Sequence, residues 1–528
     1  MKCHGRVSAA RLRVSQLIDA NVSNNGLARE HAAWKRYLSG RLRGIGPHQV
    51  AALTDRVAQR VLELAKGPYA ETVNRANREP LAGVEIGCGP ASIVTGTGEV
   101  RVGYQYAAKA LAGFYLRWLY VLFAIIRPAV RRSWQGGCVV VLGTDTSNIV
   151  RNGSDSSFIE FCRRGPIKPL NKAAVIFVQT GNNCINSGRS DFIYSSRPML
   201  ELLQSDSIRY LDRLKMVWRH LGILIQYSIL CTRMPEASLI ANEVCFVAPV
   251  HELDRMGRID ALVLSCALFG SQPLWMRSCT RFHVHMVWYA QNFKPVTWTE
   301  NQATSDLVEL TILHVHEHWV WTNSFGEYLL GFDGAAKYSA VGPILWYLPD
   351  VGCTKTDNLQ VAVFDVSPYS DEVALSHGQF PNYNSPSNLT QFIDDIQEFK
   401  EYAAQQLKQE LVLVLKTKRG YRSAYDREYF DMLEARAAEG LLTLLPHDED
   451  IFRIIGSSCL VVVYPFTSPA YVAEAMNVPV MYYDPTGKIE GRYFPEVYQN
   501  VKFVSGRENL MTYGLERVSD SKYTAKFT

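Results

Sequence analysis

The stretch CLVVVYPFTSPAYVAEAMNVPVMYYDPTG, Cys459–Gly487, reads as strand, turn, helix and strand. Its first apolar run, Cys459–Tyr464, is continuous, the pattern of a strand covered on both faces. Pro465 ends the run, and Phe466-Thr467-Ser468 lead into a helical stretch. Ser468 is expected at the N-cap and Pro469 at the first helical position. A second apolar run closes on Tyr483-Asp484-Pro485. A buried strand joined to another by a helix is the unit from which parallel sheets are built. The turn itself has two readings. It is a capped helix and nothing more, or it is an anion site made of a helix start with free N–H groups and two hydroxyls. Glu474, further into the helix, would then accept from a sugar or ribose hydroxyl.

The same signature recurs on both sides. Upstream, GCVVVLGTD (Gly137–Asp145), KAAVIFVQTG, VCFVAPVHE, ALVLSCALFG, FHVHMVWYAQN and HEHWVWTN are short apolar runs separated by longer polar segments. A second series begins at LQVAVFDVSPYS (Leu359–Ser370) and continues through ELVLVLKTKRG and GLLTLLPHDED to the stretch quoted first. VGPILWYLPDVGCTKTDN, rich in Pro and Gly, lies between the series and is expected to be a hinge over residues 343–358. The expected fold class is therefore α/β, with two doubly wound domains. Residues 136–342 form the first and 359–528 the second. Such a pair faces a cleft at the carboxyl ends of its strands.

At 528 residues the chain exceeds a single compact core. Its 47% hydrophobic and 20% charged content excludes disordered, low-complexity and fibrous classes. Eleven singly spaced cysteines fit reduced thiols of a cytoplasmic protein. The first twenty residues lack an apolar core followed by a cleavage site, so no secretory signal is expected there. Residues 1–132 carry 20 Lys and Arg against 8 Asp and Glu, whereas the rest carries 35 against 43. A basic end on an acidic protein calls for an anionic partner. That end, residues 1–135, is expected to be helical and contains KALAGFYLRWLYVLFAIIRPAVRRSW, residues 109–134. Arg117 at its centre argues against a bilayer-spanning helix. An interfacial helix on the inner membrane surface and a buried core helix both fit, and no nucleic-acid partner is expected.

A second cluster follows the strand LVLVLKTKRG, where Lys416, Lys418 and Arg419 crowd the carboxyl end. Such a run is a solvated turn or, at a sheet's ligand edge, a phosphate site. His447 in LLPHDED and Asp365 in VFDVSP close strands at the same edge.

In that order, FDVSP, NLTQFIDDI, LKTKR, YPFTSPAYVAEAMNVPV and YYDPTG resemble the bacterial polysaccharide-biosynthesis proteins named for their PFTS motif. The resemblance covers Val361–Gly487. HMVWYAQN and HEHWVWTNSFGEYL in the preceding half are similar as well, while the first 130 residues are not matched. The resemblance implies a GT-B-like fold of two Rossmann-like domains and a glycosyltransferase activity. It implies a nucleotide sugar held by the C-terminal domain and no obligatory metal or cofactor. A His-containing turn, a strand and then a Thr-Ser turn are also similar to transferases of CMP-activated Kdo and sialic acids, in which paired hydroxyls grip the CMP phosphate. Here PHDED stands where those enzymes carry His-Pro, so the resemblance only suggests a CMP donor.

Read as chemistry, a sugar leaving a nucleotide needs its developing phosphate charge stabilised. Lys416, Lys418, Arg419, His447, Thr467 and Ser468 are the donor-site candidates, with Glu474 beside them. The acceptor, a surface polysaccharide or lipid-linked glycan, needs a base from the first domain. Asp145 is the first candidate, followed by His251 and Glu252 in APVHELD.

Other readings compete. A nucleotide-sugar epimerase or hydrolase shares the fold, as does a non-catalytic polysaccharide assembly protein. GVEIGCGPASIVTGTGEV (Gly83–Val100) resembles the glycine-rich motif of S-adenosylmethionine methyltransferases, but no acid-ended second strand follows it. HVH at His283 and His285 and HVHEH at His314, His316 and His318 place imidazoles two apart, so paired strands could offer them to a metal of a hydrolase. Structural histidines satisfied by neighbours are the plainer expectation.

Overall fold

The computed structural model describes, apart from short breaks, residues 104–127, 136–144, 156–179, 191–290, 313–342, 359–369, 382–489 and 501–524. Before these it describes residues 56, 57 and 60 and a ribbon at 91–102.

That ribbon pairs β1 (Ala91–Thr95) with β2 (Gly98–Val102) antiparallel, in a sheet of its own. The second half of the glycine-rich motif is thus an antiparallel hairpin, while its Gly87-Cys88-Gly89 turn lies outside the described residues.

One sheet contains β3 (Cys138–Leu142), β4 (Ile176–Gln179), β5 (Phe192–Ser195), β6 (Ile259–Ser265), β7 (His283–Val287), β8 (Glu317–Val320) and β9 (Lys337–Ala340). The other contains β10 (Leu359–Phe364), β11 (Leu411–Lys416), β12 (Thr443–Leu445), β13 (Leu460–Val463), β14 (Val480–Asp484) and β15 (Lys502–Ser505). Every pairing within both is parallel. The orders are β5-β4-β3-β6-β7-β8-β9 and β12-β11-β10-β13-β14-β15. In each, the chain starts at the centre, runs to one edge and returns to build the other. The strand order therefore reverses between β3 and β6 and between β10 and β13. Those reversals are where doubly wound sheets open a ligand crevice. The architecture is α/β and GT-B-like.

Burial explains why the central strands form. All residues of β3, β13 and β14 are buried, as Val-rich runs in a sheet covered on both faces should be. The helices named below are α1 (Tyr104–Ile126), α2 (Tyr210–Arg233), α3 (Val247–Arg255), α4 (Asn323–Leu330), α5 (Pro386–Leu407), α6 (Arg427–Ala438) and α7 (Pro469–Ala475). Helix α5 carries NLTQFIDDI and shows how one is fixed. The Ser385 hydroxyl accepts from the Asn388 N–H, and Pro386 takes the first turn. Leu389, Phe392, Ile393, Ile396 and Phe399 then fall on one buried face. Burial of each contributes about 1.5–3 kcal/mol.

Two expectations change. VCFVAPVHE is helical, not a strand: its centre is α3, with Pro249 in the first turn, where a missing N–H costs nothing. His251 and Glu252 are therefore helical residues. The apolar helix expected at 109–134 begins at Tyr104 and stops at Ile126. Pro128 explains the stop, because proline disfavours helical backbone at the residue before it. Apart from Ile344, the expected hinge lies outside the described residues, as do nearly all of residues 1–90.

Candidate functional site

The carboxyl ends of the two sheets meet. Trp321, just past β8, packs edge-on against Tyr471 of α7, with ring centroids 4.3 Å apart. Arg419, past β11, lies within electrostatic range of Tyr289, past β7. The crevice at the β10/β13 reversal thus faces the first domain.

On the C-terminal side, the loop after β11 is tied down from beneath. Asp365, one residue past β10, is buried and accepts from the Lys418 backbone N–H at 2.9 Å and the Tyr429 hydroxyl of α6 at 2.9 Å. Burial raises its carboxyl to about 7, against the lowering effect of those hydrogen bonds and of Lys416 and Lys418. Lys416 is buried and donates to the His447 carbonyl at 2.6 Å, joining the loops after β11 and β12. The same loops touch at Gly420, where a Cβ would come within 3.0 Å of the His447 ring. Lys418 remains open to water but is enclosed by protein on most sides. That enclosure, with Arg419 beside it, lowers its ammonium to about 8. Arg419 donates to the Tyr425 hydroxyl at 3.0 Å, which holds its guanidinium firmly charged. Lys416, Lys418, Arg419 and His447 therefore form one basic edge.

The PFTSP turn is strained. Phe466 sits at φ +64°, a left-handed conformation unfavourable for a bulky residue, while its ring stacks on Phe503. Ser468 lies at φ −63°, ψ −25°, in the helical region. The left-handed backbone of Phe466 costs of order 1–3 kcal/mol and persists only where surroundings enforce it. Here the enforcement is visible. The Thr467 hydroxyl donates to the Tyr464 carbonyl at 3.1 Å, and the Tyr482 hydroxyl donates to the Thr467 carbonyl at 2.9 Å. The two hydroxyls differ in consequence. Thr467 is buried and closes the turn on itself, whereas half-buried Ser468 takes the expected N-cap position before Pro469 but makes no capping hydrogen bond. Glu474 is half-buried on α7.

Two polar groups at these edges were missed in the sequence. The Ser367 hydroxyl, past β10, and the Trp321 indole N–H are buried and make no hydrogen bond to a described residue. FDVSP contained Ser367, but nothing in the pattern marks which hydroxyl ends unpaired.

On the first-domain side, Gly143 and Thr144 follow β3, and Asp145 lies outside the described residues. The Thr144 hydroxyl donates to the Gln179 carbonyl at 2.6 Å, and the Ser265 hydroxyl donates to the Gly143 carbonyl. His251 and Glu252 are not brought here. On α3, fully buried Glu252 pairs with Arg219 of α2 and, at 2.8 Å, with Arg255. His251 contacts Arg219 at 3.2 Å, and burial together with that guanidinium lowers its pKa.

The histidine strands are explained by packing. The Trp319 indole donates to His285 Nδ1 and that of Trp288 to His318 Nδ1, both at 3.1 Å. The Val284 N–H donates to His316 Nδ1 at 3.0 Å, and burial lowers His285 to about 4. Among the described residues, no group of three or more His, Cys, Asp or Glu side chains is placed to hold a metal ion.

Residues 220–513 match the family model described as polysaccharide biosynthesis PFTS motif protein. No curated protein matches the chain. Among solved structures, it is similar to sucrose-phosphate synthase from Thermosynechococcus elongatus (11% identity, 74% of this chain and 91% of that one, TM-score 0.41). It is also similar to the wall teichoic acid polymerase TagF H548A (9% identity, 79% and 91%, TM-score 0.36). A third is UDP-GlcNAc 2-epimerase from Methanocaldococcus jannaschii, in complex with UDP-GlcNAc and UDP (10% identity, 53% and 74%, TM-score 0.33).

Proposed function

We propose, from the premise that the chain belongs to the polysaccharide biosynthesis PFTS motif family, that it is a glycosyltransferase. It moves a sugar from a nucleotide-activated donor to a surface polysaccharide or lipid-linked glycan, in the cytoplasm. The observation that carries this reading is the basic edge of Lys416, Lys418, Arg419 and His447 beside the strained PFTSP turn, where the strand order reverses. The Ser367 hydroxyl, without a partner among the described residues, and the Ser468 hydroxyl, which makes no capping bond, support it from the same edge.

In this reading, the donor's phosphates lie against Lys418 and Arg419, with Ser468 as a hydrogen-bond donor. As the bond from the anomeric carbon to the phosphate oxygen breaks, its electron pair stays on that oxygen. The fixed cations stabilise the growing charge without rearranging. Asp365 acts beneath them as a positioning residue, through the Lys418 N–H. The acceptor hydroxyl approaches from the first domain and loses its proton to a base there, for which Asp145, directly after Thr144, is the candidate. These cations supply the charge stabilisation that a metal would otherwise provide. A CMP-linked Kdo or nonulosonate is the donor suggested by the order of histidine turn, strand and Thr-Ser turn.

The test is a thermal-shift or calorimetric titration with CMP, UDP and GDP and their sugar conjugates, with and without divalent metal. Saturable binding of one nucleotide, weakened in Lys418→Ala and Ser468→Ala, is expected. Binding of none would leave a polysaccharide assembly protein whose phosphate edge is idle. Binding unchanged in both variants would remove the basic edge from the donor site.

A further inference from the structure

Helix α1 was singled out in the sequence, but it does not stand alone. It lies antiparallel on α2. Phe114 packs against Tyr227, Trp118 stacks on His220, and Arg213 donates to the Ile125 carbonyl at 2.5 Å. The inward faces of both helices are thereby buried, with Phe114, Trp118, Val121, Ile125, Met216 and Tyr227 in the core.

The outward faces are apolar as well. On α1, Leu116 (72% exposed), Leu119, Phe123 and Ile126 recur at helical spacing. On α2, Leu211, Leu214, Trp218 (74% exposed), Ile225 and Ile229 do the same. The helices have 23 and 24 residues, so the face runs about 35 Å. An exposed apolar area of this extent marks an interaction site.

Charge selects the occupant. Helix α1 contains no acidic residue, and α2 contains only Asp212, which is buried and paired with Arg209. Lys109, Arg117, Arg127 and Lys215 are exposed on or beside these helices. Arg127 lies over the Phe123 ring and Arg197 over that of Tyr120, cations set at the border of apolar surface. Trp218, Tyr115, Tyr120 and Tyr210 add amphipathic rings. A basic, aromatic-rimmed apolar face matches an anionic bilayer, with side chains in the acyl boundary and cations among the headgroups.

We infer that α1 and α2 together form a docking face that lies in the plane of an anionic lipid surface. A single helix of this length could be read as a span. A pair whose inner faces are built into the first domain's core cannot cross a bilayer without leaving that core. Vesicle binding needs no donor, so this inference stands apart from the transfer reading.

The experiment is flotation of the full chain with vesicles of phosphatidylcholine alone or mixed with phosphatidylglycerol, at low and high salt. Binding to the mixed vesicles that weakens with salt is expected. Leu119→Glu with Trp218→Glu should lower the bound fraction about tenfold. Lys109→Glu with Arg117→Glu should lower it about fivefold per charge. All four side chains are exposed, so an unchanged melting curve shows that the fold is intact. Failure to float, or flotation unaffected by the first pair, overturns the inference. A dimer in light scattering that the first pair dissolves, without vesicle binding, would assign the face to a second copy instead. Resistance to alkaline extraction would assign it to a span.

Discussion

The sheet of β3–β9 and the sheet of β10–β15 share one winding, yet their carboxyl edges differ in chemistry. At the second reversal stand Asp365, the Lys416–Arg419 loop and a turn held in unfavourable backbone. At the first stand Gly143, Thr144 and Ser265, small neutral groups whose hydrogen bonds close on one another and on Gln179. A shared topology therefore provides two crevices, and side-chain charge distinguishes them. Among the described residues, only the second offers fixed cations to a phosphate, and the first offers neutral walls, with the Trp321 indole at the contact between domains.

The largest expected effect tests the buried carboxylate that has no counterpart among the described residues of the first reversal. Burial raises Asp365 to about 7. Between about pH 4 and 7 the folded chain thus keeps a proton that the unfolded chain releases. The stability linked to that proton is full below pH 4 and lost as pH rises through 7. Asp365→Asn removes the dependence, so the variant should gain on the wild type by about 3–4 kcal/mol between pH 4 and 8. Denaturant titrations across that range read it, and parallel curves would show an ordinary carboxyl.

Next, Trp321→Ala empties the contact with Tyr471 and should cost about 3 kcal/mol. In a melt followed by calorimetry, the lost contact should also separate the domains' transitions. A third expectation concerns turnover. Lys418→Ala should lower kcat/KM for the donor about a hundredfold with the melt unchanged. Ser265→Ala at the other reversal should leave donor affinity as it is. Equal losses in both would erase the contrast between the edges. The smallest effect is Ser468→Ala, within about 0.5 kcal/mol in stability because no cap is lost, but with weaker nucleotide binding. A loss of about 1 kcal/mol or more would reveal a cap after all.

Most of the second sheet was legible because its strands are Val- and Leu-rich runs bounded by turn residues, and those residues lie at the ligand edge. Strands β5, β9 and β15 were not, because polar residues interrupt or close their short apolar runs, FIYS, KYSA and KFVS. VCFVAPVHE failed for a different reason: a continuous apolar run has no period, so helix and strand cannot be told apart locally. The candidates His251 and Glu252 depended on that reading and moved with it.

Sequence by itself determined the α/β class, the two series of strands and the basic cluster after β11, since local pattern encodes burial and strand ends encode the ligand edge. Tertiary structure alone decided which polar groups end unpaired. Thr467 turns inward while Ser468 does not, His285 and His318 serve indoles, and Ser367 is left without a partner among the described residues. It also decided that α1 shares its outer face with α2, which begins 84 residues after α1 ends. Partners so distant in the chain meet only when packing brings them together, and no local pattern records which side chains that packing will satisfy.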